Sequence, residues 1–223
     1  MTENPYHEIQ AKLGLSQPLP YTPDWSAAPD FIALIVEHAL QAKPEIIVEC
    51  SSGLTTLVLA RCCQLNGRGR VISLENGEDY AEKTRQQLKE FGLEDYAQVL
   101  FAPLQKVNLD RDYDWYELEE LPVVSIDMLV IDGPPGFIQK NSRYPALPLL
   151  FDKFSEQAKV FLDDAARDDE KELVAQWQAE FSGVEHEYLE FERGIGRASC
   201  RERVEGAGGA GAVQKRGGGR GGR

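Results

Sequence analysis

What is scarce in this chain narrows it first. Its 223 residues include only four cysteines, three histidines and two methionines. Cys50, Cys62, Cys63 and Cys200 show no metal-ligand spacing, so we expect buried, reduced thiols and no disulfide framework. His7, His38 and His186 are scattered without partner spacing and receive no role. Long apolar runs are missing too. Nothing approaches the roughly 18–20 residues of a membrane span, and the N-terminus lacks a basic-then-apolar leader pattern. Positive charge is short: 24 Lys and Arg stand against 37 Asp and Glu, a net charge of −13. An acidic surface repels phosphate backbones and argues against duplex nucleic acid as a partner of the body. These absences point to a cytoplasmic protein with no membrane or nucleic-acid partner. The length suits one α/β domain with a full core, and the oligomeric state stays open.

What is present begins at residues 46–56, Ile-Ile-Val-Glu-Cys-Ser-Ser-Gly-Leu-Thr-Thr, which read as a buried strand, a glycine turn and a helix start. About twenty residues on, a second strand over 71–74 ends in Glu75. This is the layout of a nucleoside site: a tight turn and a helix N-terminus approach the ligand, and the distal carboxylate takes ribose hydroxyls. A dinucleotide fingerprint needs G-x-G-x-x-G, but here Ser51 and Thr56 flank a lone Gly53. A pyrophosphate is thereby disfavoured, and a nucleoside with an amino-acid tail fits better.

Periodicity and breakers lay out the rest. Residues 1–28, punctuated by Pro18, Pro20 and Pro23, read as an arm or loop. Helices are expected over 29–42, 55–65, from Asn76 as cap to Gly92, around 147–156, and from Asp168 as cap through Phe181. Strands are expected at 45–49, 71–75, 97–101, 128–132, 160–163 and 184–191, with an acidic insertion of loop or short helix over 105–124. Alternating strands and helices point to a doubly wound, mostly parallel sheet. Carboxylates then fall at four of five strand ends: Glu49, Glu75, Asp132 and the pair Asp163-Asp164. Ligands of open α/β sheets bind at those ends.

Glu49-Cys-Ser-Ser-Gly53, Ser73-Leu74-Glu75, Ile131-Asp132-Gly133-Pro134-Pro135-Gly136 and Leu162-Asp163-Asp164 resemble the class I S-adenosylmethionine-dependent methyltransferases, in particular a bacterial branch of small-molecule O-methyltransferase-like proteins. The likeness covers about residues 20–194. It implies a Rossmann-like methyltransferase domain over 29–194 that binds S-adenosylmethionine and methylates a hydroxyl on a small molecule or sugar, with or without a divalent metal. On this resemblance Glu75 takes the ribose, followed by Asn76. Ser51 and Gly53 approach the methionine moiety, Glu49 orients that loop or meets the amino group, Ala102 and Pro103 flank adenine, and Asp132 also belongs to the cofactor-binding set. Asp132, Asp163 and Asp164 match a Mg²⁺ site whose usual third residue is Asn. Where those relatives carry a catalytic Lys this chain has Pro135, so Lys140 is the nearest substitute and joins Asp132 as a catalytic candidate. A binding domain without turnover is the alternative reading.

Composition shifts after Gly194. Residues 195–223 hold ten glycines, seven Lys or Arg and two Glu. Residues 195–204 look like one reading frame of a DNA-sequencing adapter, so the Gly/Arg-rich tail is expected to be a non-native read-through. The final antiparallel strand of the sheet is then expected to be missing or replaced.

Overall fold

Each central strand is apolar on both faces, and that dictates a sheet covered on both sides. The computed structural model describes residues 4–23, 25–122 and 125–200. Helices α1 (His7–Lys12) and α2 (Pro29–Ala42) lead into β1 (Ile46–Cys50), α3 (Leu54–Asn66), β2 (Arg70–Glu75), α4 (Glu78–Phe91) and β3 (Ala97–Phe101). A two-stranded antiparallel hairpin follows, β4 (Leu104–Asn108) and β5 (Asp112–Tyr116), and then β6 (Ile126–Ile131). Next come α5 (Ala146–Leu150), a 3₁₀ turn (Phe151–Lys153), β7 (Phe154–Leu162), α6 (Asp168–Glu180), β8 (Val184–Leu189) and β9 (Ile195–Cys200).

Seven strands form one sheet in the order β3-β2-β1-β6-β7-β9-β8. The first five run parallel, and β9 is antiparallel to both neighbours. Strand order reverses between β1 and β6, which opens a crevice at their carboxyl ends. Alternation along the strands divides the core. Ile47, Val71, Met128, Val130 and Phe161 meet α1–α4 on one face. Val48, Ile72, Leu129, Ile131 and Val160 meet the hairpin, α5 and α6 on the other. Among the described residues no helix is long and apolar enough to cross a membrane. All four cysteines are free, and Cys50, Cys62 and Cys63 are buried as expected of small apolar side chains.

Several expectations need correction. The 1–28 arm is no free loop: Tyr6, Ile9, Leu13 and Leu19 join the core, and the Tyr6 hydroxyl donates to the Ala27 carbonyl at 2.7 Å. Within the 105–124 insertion, expected as a loop or short helix, β4 and β5 form a hairpin whose Tyr113, Trp115 and Tyr116 bury against the sheet. Asn76 and Asp168 are not caps; Gly77 and Arg167 hold those positions. Residues 195–200, read as the start of a foreign tail, occupy the place of the closing antiparallel strand. There Ile195 enters one core face and Ala198 the other. The remainder of the tail, 201–223, lies outside the described residues.

Candidate active site

The parallel register of β2, β1, β6 and β7 carries their terminal acids to one edge. Asp132 follows β6 directly, Asp163 and Asp164 follow β7, and one carboxylate oxygen from each lies within 4.8 Å of the others. Non-glycine residues with left-handed backbone cluster there: Ser51 (φ 102°), Asn141 (φ 53°) and Asp164 (φ 57°). Such conformations cost of order 1–3 kcal/mol each and persist only where the surroundings enforce them.

On the β1–β2 side the turn is wired to two carboxylates. Gly53, at φ 138° and ψ −125°, adopts a backbone open only to glycine, and its N–H donates to Thr56 Oγ1 at 3.0 Å. Thr56 Oγ1 in turn donates to the wholly buried Glu49 at 2.6 Å. Glu75 Oε2 accepts from the Ser52 N–H at 3.0 Å and the Ser52 hydroxyl at 2.8 Å, and its Oε1 accepts from the Gly77 N–H at 2.9 Å. Glu75 therefore braces the turn. Asn76 is half-buried beside it. At the neighbouring strand end the buried Ala102 donates its N–H to the Glu75 carbonyl at 2.7 Å, while Pro103 is exposed.

Burial pushes the Glu49 carboxyl up to about 7, against the hydrogen bonds from Thr55, Thr56 and Ser73. The folded state thus holds this proton more tightly than the unfolded chain does. Its contribution to stability is complete below about pH 4.5 and is lost as pH rises to about 7, at most about 3 kcal/mol. Asp163, raised to about 6 by burial and by Asp164, acts in the same direction. Urea midpoints measured from pH 4.5 to 8 are expected to fall more steeply for the parent than for Glu49→Gln, which cannot ionise.

Gly133 is needed for close approach. A Cβ there would lie 2.5 Å from Tyr116 Oη and 3.1 Å from Ser51 Cβ. Gly133→Ala is expected to destabilise the domain by about 1–3 kcal/mol, as overpacking does. Adding Tyr116→Phe removes the nearest atom and is expected to recover part of the loss in a double-mutant cycle read by denaturant unfolding.

On the β6–β7 side the acids surround a guanidinium. Arg143 is 2% exposed. It donates to the backbone carbonyls of Asp132 (2.9 Å) and Asp163 (2.8 Å) and to Asp164 Oδ2 (3.1 Å). It also lies 3.5 Å from Asp132 Oδ1 and 3.7 Å from Glu170 Oε1. Arg167 reaches Asp164 Oδ2 at 2.9 Å, and Arg193 approaches Asp164 Oδ1 at 3.9 Å. Burial and the Asp163 charge raise Asp132 well above the carboxylate range, with Arg143 opposing.

A divalent ion wants several free carboxylate oxygens at about 2.0–2.6 Å. Asp164 Oδ2 already accepts from Arg143 and is ion-paired with Arg167, and Asp163 Oδ1 accepts from the Asp164 N–H at 2.8 Å. Asp163 Oδ2 and Asp164 Oδ1 are buried without a hydrogen-bond partner, but an ion placed on them would adjoin arginines bound to the same cluster. The donor set does not fit Mg²⁺.

Lys140 is not brought to the site. Its Nζ pairs with Glu172 at 2.7 Å on an exposed turn, and it does not line the cleft. That cleft, about 610 Å³, is lined by Ser51, Asp132, Arg143, Arg167, Arg193 and the exposed Trp25 and Phe137. The two aromatic rings meet edge to face, 6.4 Å between centroids, at 61% and 79% exposure. Trp25 is thus a rim residue and not a core one. Sequence reasoning missed Arg143, Ser52 and Tyr116. Arg143 carries no local signal, since Asp132, Asp164 and Glu170 meet it only through the fold.

A family model described as a methyltransferase domain matches residues 48–165, more than half of the chain. This chain belongs to that methyltransferase family. Its sheet order is the Rossmann-like one of the class I S-adenosylmethionine-dependent methyltransferases that the motifs implied. The methyltransferase fold also recurs in solved structures of low identity. S-adenosylhomocysteine-bound PaMTH1 from Podospora anserina aligns at TM-score 0.65 and 13% identity, covering 91% of this chain and 97% of that one. The O-methyltransferase from Bacillus cereus, in complex with S-adenosylhomocysteine, aligns at 0.61 and 16%, covering 87% and 88%. TomG from Streptomyces achromogenes, an O-methyltransferase of tomaymycin synthesis, aligns at 0.61 and 13%, covering 90% and 99%. No curated protein matches the chain.

Proposed function

We propose that this methyltransferase transfers the methyl of S-adenosylmethionine to a hydroxyl of a small planar molecule or sugar held in the cleft beyond β6 and β7. The observation that supports it most is the adjacency of two unlike surfaces. The Gly53 turn with Glu75 suits a nucleoside carrying an amino-acid tail, and beside it opens a cleft of about 610 Å³ with Asp132 inside and an aromatic pair at its rim. Pockets of this size and mixed lining suit small molecules.

The cofactor would supply an electrophilic methyl on a good sulfonium leaving group, so alignment accounts for most of the acceleration. Glu75 would hold the ribose hydroxyls, Ser51 and Gly53 would admit the amino-acid tail, and Trp25 and Phe137 would flank the acceptor. Asp132 would take the hydroxyl proton as the acceptor oxygen bonds to the methyl carbon and the sulfur–carbon bond breaks. Its raised proton affinity makes it a better base than an ordinary carboxylate once ionised. Lys140, tied to Glu172, has no part in this scheme.

Two titrations and one assay test the reading. Calorimetry is expected to show S-adenosylhomocysteine binding and no NAD binding. Incubation with S-adenosylmethionine and a panel of phenols, catechols and sugars is expected to release S-adenosylhomocysteine. Asp132→Asn is expected to lower kcat by about 10²-fold or more and abolish the rise of rate with pH, with S-adenosylhomocysteine affinity little changed. Tight cofactor binding without turnover on any acceptor would favour a binding domain instead.

A further inference from the structure

We infer that Arg143 supplies from within the chain the positive charge that would otherwise be brought by a bound divalent cation, so that the Asp132–Asp163–Asp164 group is a guanidinium-centred site and not a metal centre. The arrangement is built from the loop that follows β6. Gly133-Pro134-Pro135-Gly136 leaves the sheet, and Ser142 Oγ ties the returning strand to the Pro134 carbonyl at 3.0 Å. Asn141, in left-handed conformation, reverses the chain and is held from α6: its N–H meets Asp169 Oδ2 and its side-chain amide meets Glu172 Oε1, both at 3.3 Å. Arg143 is buried there, with its guanidinium on the Asp132 and Asp163 carbonyls that follow β6 and β7.

The fork meets its surroundings in a way a simple surface ion pair does not. One nitrogen bonds the Asp163 carbonyl while facing Glu170. The other bonds the Asp132 carbonyl and Asp164 Oδ2 while facing Asp132 Oδ1. A planar guanidinium spreads its donors over several acceptors, which an ammonium cannot do. A metal ion would have to expel these bonds, or sit against the guanidinium that makes them. Arg167 and Arg193 add two further cations on the same Asp164 carboxylate. Three arginines thus already lie on Asp164, and one of them faces Asp132, while the Asp163 carboxylate takes the Asp164 N–H.

This deepens the proposed function by stating how the acceptor site is charged, yet its readout is cation binding and not turnover. A protein that ignores cations and also fails to methylate would overturn the methyl-transfer reading alone. The test is a titration of Mn²⁺ into the full chain after EDTA treatment, followed by electron paramagnetic resonance of the free ion. The parent is expected to show no saturable site at or below about 1 mM, the weak end of protein oxygen-ligand sites. A saturable site that disappears in Asp132→Ala or Asp164→Ala would overturn the inference; one that persists in both lies outside the acid group and supports it. Arg143→Gln, if folded, is expected to gain a site at least about tenfold tighter than any in the parent. A folded Arg143→Gln protein that gains none would also overturn the claim that the guanidinium keeps the ion out. Should that variant not fold, the parent titration decides.

Discussion

Replacing Glu75 by alanine is expected to weaken S-adenosylhomocysteine binding by about 100-fold while the domain stays folded. The carboxylate closes β2 and is 6% exposed, with Oε2 on Ser52 and Oε1 on Gly77. A ribose diol would add two charge-assisted hydrogen bonds to it, each worth about 1.5–3 kcal/mol, and about 2.7 kcal/mol corresponds to a hundredfold in affinity. The same substitution frees Ser52 and loosens the turn that must lie against the amino-acid tail, so binding suffers twice. Stability loses only partly exposed hydrogen bonds, about 1–2 kcal/mol. Glu75→Gln keeps one acceptor oxygen and the shape, so its affinity should fall by only about tenfold. Calorimetry for binding and urea unfolding for stability separate the two effects. A Glu75→Ala protein that binds like the parent would remove the ribose assignment.

Arg143→Met is expected to cost more stability than any other single change at the site, about 3–5 kcal/mol. Removing one partner of a buried ion pair leaves the other charges uncompensated, and here Asp132, Asp164 and Glu170 all face the one guanidinium. For a chain of this length that corresponds to a fall in Tm of roughly 10 °C. Arg143→Lys should recover only part of it, because a lysine ammonium cannot reach two backbone carbonyls and the Asp164 carboxylate together. Thermal unfolding of the three proteins at one pH decides the matter. A Met variant as stable as the parent would show that the acids are stabilised by other means, with Arg167 and Arg193 the first to examine.

What could be read in the sequence was local. Glu49, Glu75, Asp132 and Asp163 each end an apolar run, and a carboxylate at the end of a buried parallel strand has few places to be other than the functional edge. Gly53 was legible for the same reason, since a single residue type answers a backbone demand made within a few positions. Helix α2, expected over 29–42, lies at Pro29–Ala42, because Pro29 at the first turn is a local signal.

What could not be read depended on contacts made across the chain. Arg143 acquires its meaning from Asp164 and Glu170, which are distant in sequence and only meet it because β6 and β7 pair. Lys140 was chosen by its nearness to Asp132 along the chain, but the turn carries it outward to Glu172. The hairpin hid behind its charge: Lys106 pairs with Asp114 on the exposed side while Tyr113 and Trp115 face the core. Strand β9 was obscured by composition. Its pairing with β7 and β8 is set by register and burial, which a count of glycines and arginines does not report.

On the proposed reading, the crevice at the ends of β1 and β2 holds the nucleoside and the cleft beside it is left for the acceptor. A crystal structure with S-adenosylhomocysteine is expected to show the ribose hydroxyls on Glu75, the amino-acid tail over Ser51–Gly53 and the sulfur facing Asp132. A nucleoside bound elsewhere, or one whose sulfur points away from the Asp132 cleft, would contradict it.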